Sequence, residues 1–320
     1  YLLMGKGKHF CAGGDVKSVH LSGPFSKLKS EFFSKEYSLN LQIKKFPKPY
    51  LSIWQGVVMG GGVGLSIYGD YRITTESTKF AMPETSIGFF PDVGGSFFLA
   101  KLENNIGKYL GLTGEIVQGN DLLNFNLATH YCPENKINHL ISQFIIDGSI
   151  TNYEIENSSF FTDEKIDFID KNFSGDIHEI FSNIQNISNQ DSLLQKLQKK
   201  CPMSLAVTTL LIKDSNNRSL KNCLEIEYRL SQKMTNRHDF GEGIQAVLIA
   251  CPTLSGGTNN IPPTITPPFT DPLTALPSYS TTVAAGGVIN FQIHSEDFDV
   301  YPNGCLLYTS DAADEGLGVD

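Results

Sequence analysis

At 320 residues, with 40% apolar and 11% aromatic side chains, the chain has material for one large core or two and the composition of a globular protein. No apolar run approaches the roughly 20 residues that a membrane-spanning helix needs, and a net charge of −9 without a Lys/Arg stripe argues against nucleic acid as the main partner. The charge is uneven: all 25 Lys and Arg lie in residues 1–250 beside 26 acids, whereas residues 251–320 hold eight acids and no base.

The chain opens on Tyr1-Leu2-Leu3-Met4, an apolar run that goes straight into Gly5-Lys6-Gly7-Lys8. This reads as a strand entered midway, with no initiator Met or targeting segment ahead of it, so an N-terminal truncation is expected. The stretch from His9 to Asp15 follows, rich in small residues. A loop so stripped of side chains can present backbone N–H groups to a ligand; the plainer reading is a tight turn with Asp15 as a helix cap. From Ser30 to Phe46, the spacing of Phe32, Phe33, Tyr37 and Leu41 predicts a helix, on which Glu36 by composition alone reads as an exposed acid. Pro47 and Pro49 end it, and Tyr50–Trp54 is expected as a buried strand.

The stretch from Gly56 to Gly95 organises the rest. Gly60, Gly61, Gly62 and Gly64 let the backbone approach another group closely, because no Cβ stands in the way. A helix beginning there has N–H groups without internal partners, which suits an oxyanion; the plainer reading is a packing turn. Residues 63–68 are expected to continue as helix and residues 71–75 to return as strand, an α/β rhythm. Glu84, after Met82-Pro83, and Asp92, between Pro91 and Val93-Gly94-Gly95, are then each placed in a loop among apolar neighbours. Desolvation favours the neutral form of such carboxyls and brings their pKa toward neutral pH, as a general base or nucleophile near a polarised carbonyl requires. For Asp92 the competing reading is a helix cap.

Helix, turn, helix and a short strand are expected over residues 111–131, with His130 structural. Residues 135–200 are polar with amphipathic pieces and show no chemistry; residues 220–250 are expected as helix. Near Ala250 the character changes. The last 70 residues hold 8 of the 15 prolines, then β-prone residues around Gly286-Gly287 with the look of a small β-sandwich fragment, and the end from Cys305 to Glu315 resembles the translation of a sequencing adaptor. The expected organisation is a catalytic body over 1–250, a foreign Pro-rich, β-prone segment over 251–304 and an adaptor-derived tail over 305–320. Six scattered cysteines without a CxxC read as free thiols, and the seven histidines form no HExxH, so no metal is expected.

Several motifs together carry a resemblance: FCAGGD at 10–15, GVVMGGGVGLS at 56–66, FAMPETSIGFFPDVGG at 80–95, EYRLSQ at 227–232 and HDFGEGIQAVLI at 238–249. In order and spacing they are similar to the enoyl-CoA hydratase/isomerase (crotonase) superfamily and, within it, to the 3-hydroxyisobutyryl-CoA hydrolase family. The resemblance runs from Tyr1 to about Ile249 and implies an α/β spiral of strand-helix units, the ClpP/crotonase fold, with a helical C-terminal part. It implies that the Ala12 and Gly61 N–H groups form an oxyanion hole, and that Glu84 attacks a thioester or activates water. Asp92 then holds the substrate hydroxyl or assists proton transfer. It also makes Glu36 a substrate contact with Gly61, Glu84 and Asp92, reversing the reading from composition. Gly64 stands where hydratases of the superfamily carry a catalytic Glu, which disfavours hydration of a double bond. The implied activity is hydrolysis of 3-hydroxyisobutyryl-CoA to 3-hydroxyisobutyrate and CoA in valine breakdown, by an enzyme with no cofactor beyond the CoA of its acyl-CoA substrate. Implied too are a homo-oligomer and a mitochondrial matrix location in a eukaryote, cytoplasmic in a bacterium. The alternatives are a hydratase or isomerase of the same superfamily, and an inactive fragment.

Overall fold

The computed structural model describes residues 1–155, 159–187 and 191–250, together with three short strands at 292–294, 298–300 and 306–308. The expectations for the Pro-rich segment and the tail otherwise lie outside the described residues.

Short parallel strands build the body by alternating between two sheets. Strands β1 (Leu2–Lys6), β2 (Leu51–Trp54), β4 (Tyr71–Thr74) and β6 (His130–Tyr131) stand side by side in the order β6-β4-β2-β1, all parallel. Strands β3 (Val57–Met59) and β5 (Lys79–Ala81) form a second, two-stranded parallel sheet. The loop after β1 joins that sheet through a parallel bridge from Cys11 to Val58. Each circuit of the chain therefore lays one strand on each sheet, which is the spiral that the resemblance implies. The β2 side chains are buried on both faces, as a strand inside a covered parallel sheet requires. In the C-terminal segment, β7 (Gln292–His294) continues the large sheet beyond β1, while β8 (Phe298–Val300) and β9 (Leu306–Tyr308) pair antiparallel.

Helices close the spiral. After α1 (Val16–Leu21), whose N-terminus is capped by Asp15 through the Ser18 N–H at 2.8 Å, comes α2 (Lys27–Lys44), burying Phe33, Tyr37, Asn40 and Ile43. The glycine turn opens α3 (Gly61–Gly64). This helix is a single turn and does not extend over 63–68 as expected: glycines hold a helix weakly, and the Ser66 hydroxyl accompanies the change by donating to the Gly62 carbonyl at 2.9 Å. Strand β3 between Trp54 and the glycines was not anticipated either, because a three-residue strand leaves no periodicity.

Further on, α4 (Gly95–Leu99), α5 (Ile106–Thr113) and α6 (Asp121–Asn124) precede β6, and α7 (Ile137–Asp147), α8 (Asp163–Asn172), α9 (Ile177–Gln185) and α10 (Asp191–Gln198) follow it. The predicted helix over 220–250 is two helices, α12 (Leu220–Met234) and α13 (His238–Ala250), preceded by α11 (Pro202–Ser215). Lys108 of α5 ties the connection between α8 and α9 to the body by donating to the carbonyls of Phe173, Ser174 and Gly175 at 3.0, 2.7 and 3.2 Å. The motif glycines of α13 serve packing: a Cβ on Gly243 would fall 2.5 Å from the Ile87 carbonyl carbon. Among the described residues no helix is long and apolar enough to cross a membrane.

Candidate active site

Two loops meet at the head of α3. The first is drawn along β3 by three backbone bonds, Phe10 N–H to Gln55 at 2.8 Å, Cys11 N–H to Val57 at 3.1 Å and Met59 N–H to Cys11 at 3.0 Å. This brings Gly13 so close that its Cβ, if it had one, would lie 3.8 Å from the Gly61 nitrogen. Gly60, at φ 50° and ψ −122°, turns the chain into the helix, a conformation that an L side chain rarely adopts. Neither the Ala12 nor the Gly61 N–H has a hydrogen-bond acceptor among the described residues.

The glycines are flanked by carboxylates. A Cβ on Gly60 would lie 3.1 Å from Glu84 Oε1, and one on Gly61 would lie 2.7 Å from Glu36 Oε1. Glu84 reaches this place because Pro83 ends β5 and starts a 3₁₀ turn over Glu84–Ile87, so the earlier placement of Glu84 in a loop is replaced by the head of a short helix. Glu84 is buried, and its Oε2 has no hydrogen-bond partner. Burial, then the neighbouring Asp92, push its carboxyl well above the ordinary glutamate range. Glu36 projects from α2 and is raised well above that range by the same two causes.

Asp92 completes the group from the turn before α4. Tyr37, one residue along α2 from Glu36, donates its hydroxyl to Asp92 Oδ2 at 2.7 Å. Burial raises Asp92 to about 7, and this hydrogen bond pulls the other way. The helix-cap reading of Asp92 fails: the N-cap of α4 is Gly94, and no side chain of the turn caps it. Three carboxyls thus converge beside two idle N–H donors; burial first, and then the charge of Asp92 on Glu84 and Glu36, favours holding protons that a base would exchange near neutral pH.

Gly64 is equally informative. A Cβ there would sit 2.7 Å from Val93 Cβ and 2.9 Å from Asn40 Nδ2. No acidic side chain fits at this position without displacing both neighbours. Cys11 and His130 keep the readings of a free thiol and a structural histidine. Burial pushes the Cys11 thiol up to about 11, which keeps it protonated and weakly nucleophilic. His130 Nδ1 bonds to Oγ1 of its chain neighbour Thr129 at 2.9 Å.

The residues that support this group were not singled out from the sequence. Tyr37 and Asn40 lie on the buried stripe of α2, where Asn40 Nδ2 donates to the Gly64 carbonyl at 3.1 Å. Lys200, in the stretch read as free of chemistry, bonds to Ser86 Oγ; its charge lowers the Glu84 pKa, and burial brings its own to about 8. The signal available was position: a polar residue at core spacing on an amphipathic helix is out of place unless it has a partner.

The comparisons with known proteins fall on the same stretch of chain. The pattern of the Enoyl-CoA hydratase/isomerase family matches residues 1–252. The chain is 40% identical to the mitochondrial 3-hydroxyisobutyryl-CoA hydrolase of Xenopus laevis over 261 residues, covering 76% of this chain and 68% of that one; with the Homo sapiens protein of the same name it shares 38% over the same coverage. Among solved structures, an enoyl-CoA hydratase from Rhodobacter sphaeroides superposes with a TM-score of 0.71 at 32% identity, covering 77% of this chain and 74% of that one. A carnitinyl-CoA dehydratase from Mycobacterium thermoresistibile gives 0.71 at 33% identity, with 81% and 80% covered. With its two-sheet spiral, its paired glycine loops and a family match spanning the whole body, the chain belongs to the enoyl-CoA hydratase/isomerase family.

Proposed function

We propose that this protein hydrolyses the thioester of 3-hydroxyisobutyryl-CoA to 3-hydroxyisobutyrate and CoA, a step of valine breakdown. One observation carries the choice of hydrolysis over hydration: Glu84 and Asp92 are both buried and close enough to repel one another, whereas Gly64 is walled in by Val93 and Asn40, so the second glutamate of a hydratase has no room. The names of the curated relatives supply the acyl group.

In this reading the thioester carbonyl points at the Ala12 and Gly61 N–H groups. Each donor stabilises the tetrahedral oxyanion by about 3 kcal/mol more than it stabilises the ground state. The Glu84 carboxylate delivers the attack, itself or through a water molecule whose proton it takes. The C–S bond then breaks and the CoA thiolate leaves, taking up the proton that Glu84 removed from water or one from the solvent; where Glu84 itself attacked, water then cleaves the acyl–Glu84 anhydride, which releases 3-hydroxyisobutyrate and restores the carboxylate. Asp92, held by Tyr37, receives the 3-hydroxyl of the acyl group, and Glu36 borders the same space. No resident cofactor or metal enters these steps.

The test is thiol release from 3-hydroxyisobutyryl-CoA by the 320-residue chain and its Glu84→Ala variant. Release by the parent and a loss of at least about 100-fold in the variant are expected, on the scale of a lost general base. Equal release from both would remove Glu84 from the chemistry. A decline in enoyl absorbance with crotonyl-CoA, without thiol release, would replace hydrolysis by hydration.

A further inference from the structure

Behind Asp92 lies a fourth carboxylate that these steps do not use. Glu227, on α12, is 0% exposed. Its Oε2 accepts the Gly94 N–H at 2.7 Å; its Oε1 accepts the Ser96 N–H at 3.0 Å and the Ser96 hydroxyl at 2.5 Å. All three partners are donors, so the anion is the form that satisfies them. Burial is the main influence raising its pKa, to about 8, and Asp92 adds to this while the three donors oppose it.

The segment that Glu227 grips is unusual. Val93 sits at φ 51°, a left-handed backbone that a β-branched residue adopts only under constraint, and Gly94 follows at φ 79°. Tyr68 holds the first half of this turn by donating its hydroxyl to the Val93 carbonyl at 2.7 Å. Glu227 holds the second half. Strain of this kind persists where the surroundings over-determine it, and here it falls directly after Asp92.

We infer that Glu227 is a positioning residue, whose carboxylate locks the Val93–Gly94 turn in its left-handed form and thereby fixes the Asp92 carboxyl beside Glu84 and Glu36. The inference rests on the proposed reading in one respect, that Asp92 meets the substrate. A purely structural cap for α4 is the competing account, and it predicts a loss of stability with kcat intact.

Glu227→Gln in the full chain separates the two. The amide keeps the volume but sets an NH₂ against one of the three donors, which frees one half of the turn. Expected are a fall in kcat for thiol release of at least 10-fold with KM changed less than 3-fold, and hydrogen exchange at the Gly94 and Ser96 amides at least 10-fold faster. In an Asp92→Asn background the same substitution should cost no further activity, because its effect passes through Asp92. A folded Glu227→Gln protein with kcat within 2-fold of the parent and unchanged exchange would overturn the inference, as would an equal kcat loss in the Asp92→Asn background. Should Glu227→Gln not fold, Ser96→Ala removes a single bond and faces the same criteria. If the parent releases no thiol, the functional reading fails, while the exchange measurement still decides whether Glu227 holds the turn.

Discussion

Gly64→Ala is a sensitive perturbation, because its sign is set by two neighbours and not by helix propensity. In the interior of an ordinary helix this change stabilises by about 0.5–1 kcal/mol. At Gly64 the added methyl would stand 2.7 Å from Val93 Cβ, 2.9 Å from Asn40 Nδ2 and 3.0 Å from Val93 Cγ1, all inside the distance at which a neighbour must move. Val93 has nowhere easy to go: it is completely buried, its φ is already 51°, and Tyr68 holds its carbonyl. Overpacking of this kind costs about 1–3 kcal/mol, so the net expectation is a loss of roughly 1–2 kcal/mol and a fall in Tm of about 2–8 °C for a body of this size. Val93 adjoins Asp92, so thiol release should drop at least about 10-fold on the scale of misplaced catalytic groups. Differential scanning calorimetry alongside the thiol assay measures both. A Tm that rises or stays put would refute the packing argument. Hydration of crotonyl-CoA by Gly64→Glu would refute the claim that the pocket cannot take a second glutamate.

The raised carboxyls also predict how stability depends on pH. Asp92 goes from an ordinary 3.8 to about 7 in the folded protein, so its stabilising proton is fully present below pH 4 and is lost as pH rises through 7, an effect on the order of 4 kcal/mol. Asp92→Asn, which keeps an acceptor for Tyr37, should therefore flatten the decline in Tm between pH 5 and pH 8 and be more stable than the parent at pH 8; an unchanged slope would show that Asp92 is ionised throughout. Lys200→Met removes a positive charge that lowers the Glu84 pKa, so the acid limb of the pH–rate profile should move to higher pH, with the rate at high pH little altered. A limb that stays in place would mean that Lys200 is too well solvated to act on Glu84.

Which parts of the site the sequence revealed follows from how local each signal is. The glycine loops, Glu84 and Asp92 lie within short windows where composition alone is odd: consecutive glycines, and acids set among Pro, Phe and Met. Their departure from ordinary composition was readable before the fold. Glu36 was not readable from composition, since a single acid on a helix is ordinarily solvated, and only the resemblance marked it. Glu227 opens the EYRLSQ motif and occupies the buried stripe of α12 with Leu220, Cys223, Leu224, Ser231 and Met234. An acid at that spacing announces a buried partner but does not say which, because the partner lies 133 residues earlier in the chain. The single turn of α3 was misjudged for a different reason: the residues after Gly64 have helical spacing, but the hydrogen bonds that decide where the helix stops involve the Ser66 side chain.

That long separation between Glu227 and the turn it grips bears on when the protein becomes competent. A ribosome adds residues in order at a few per second to about 20 per second, and N-terminal parts begin to fold first. The glycine loops, Glu84 and Asp92 leave the exit tunnel before the C-terminal helices, and strands β1 to β6 are made by residue 131. Helix α12, which also packs on α2 and whose end is joined to it where Lys29 Nζ meets the Thr235 carbonyl at 2.8 Å, emerges only with residues 220–234. Until then the turn after Asp92 has no anion to hold it. The nascent spiral thus carries its acids while the residue that grips the turn after Asp92 is still unsynthesised.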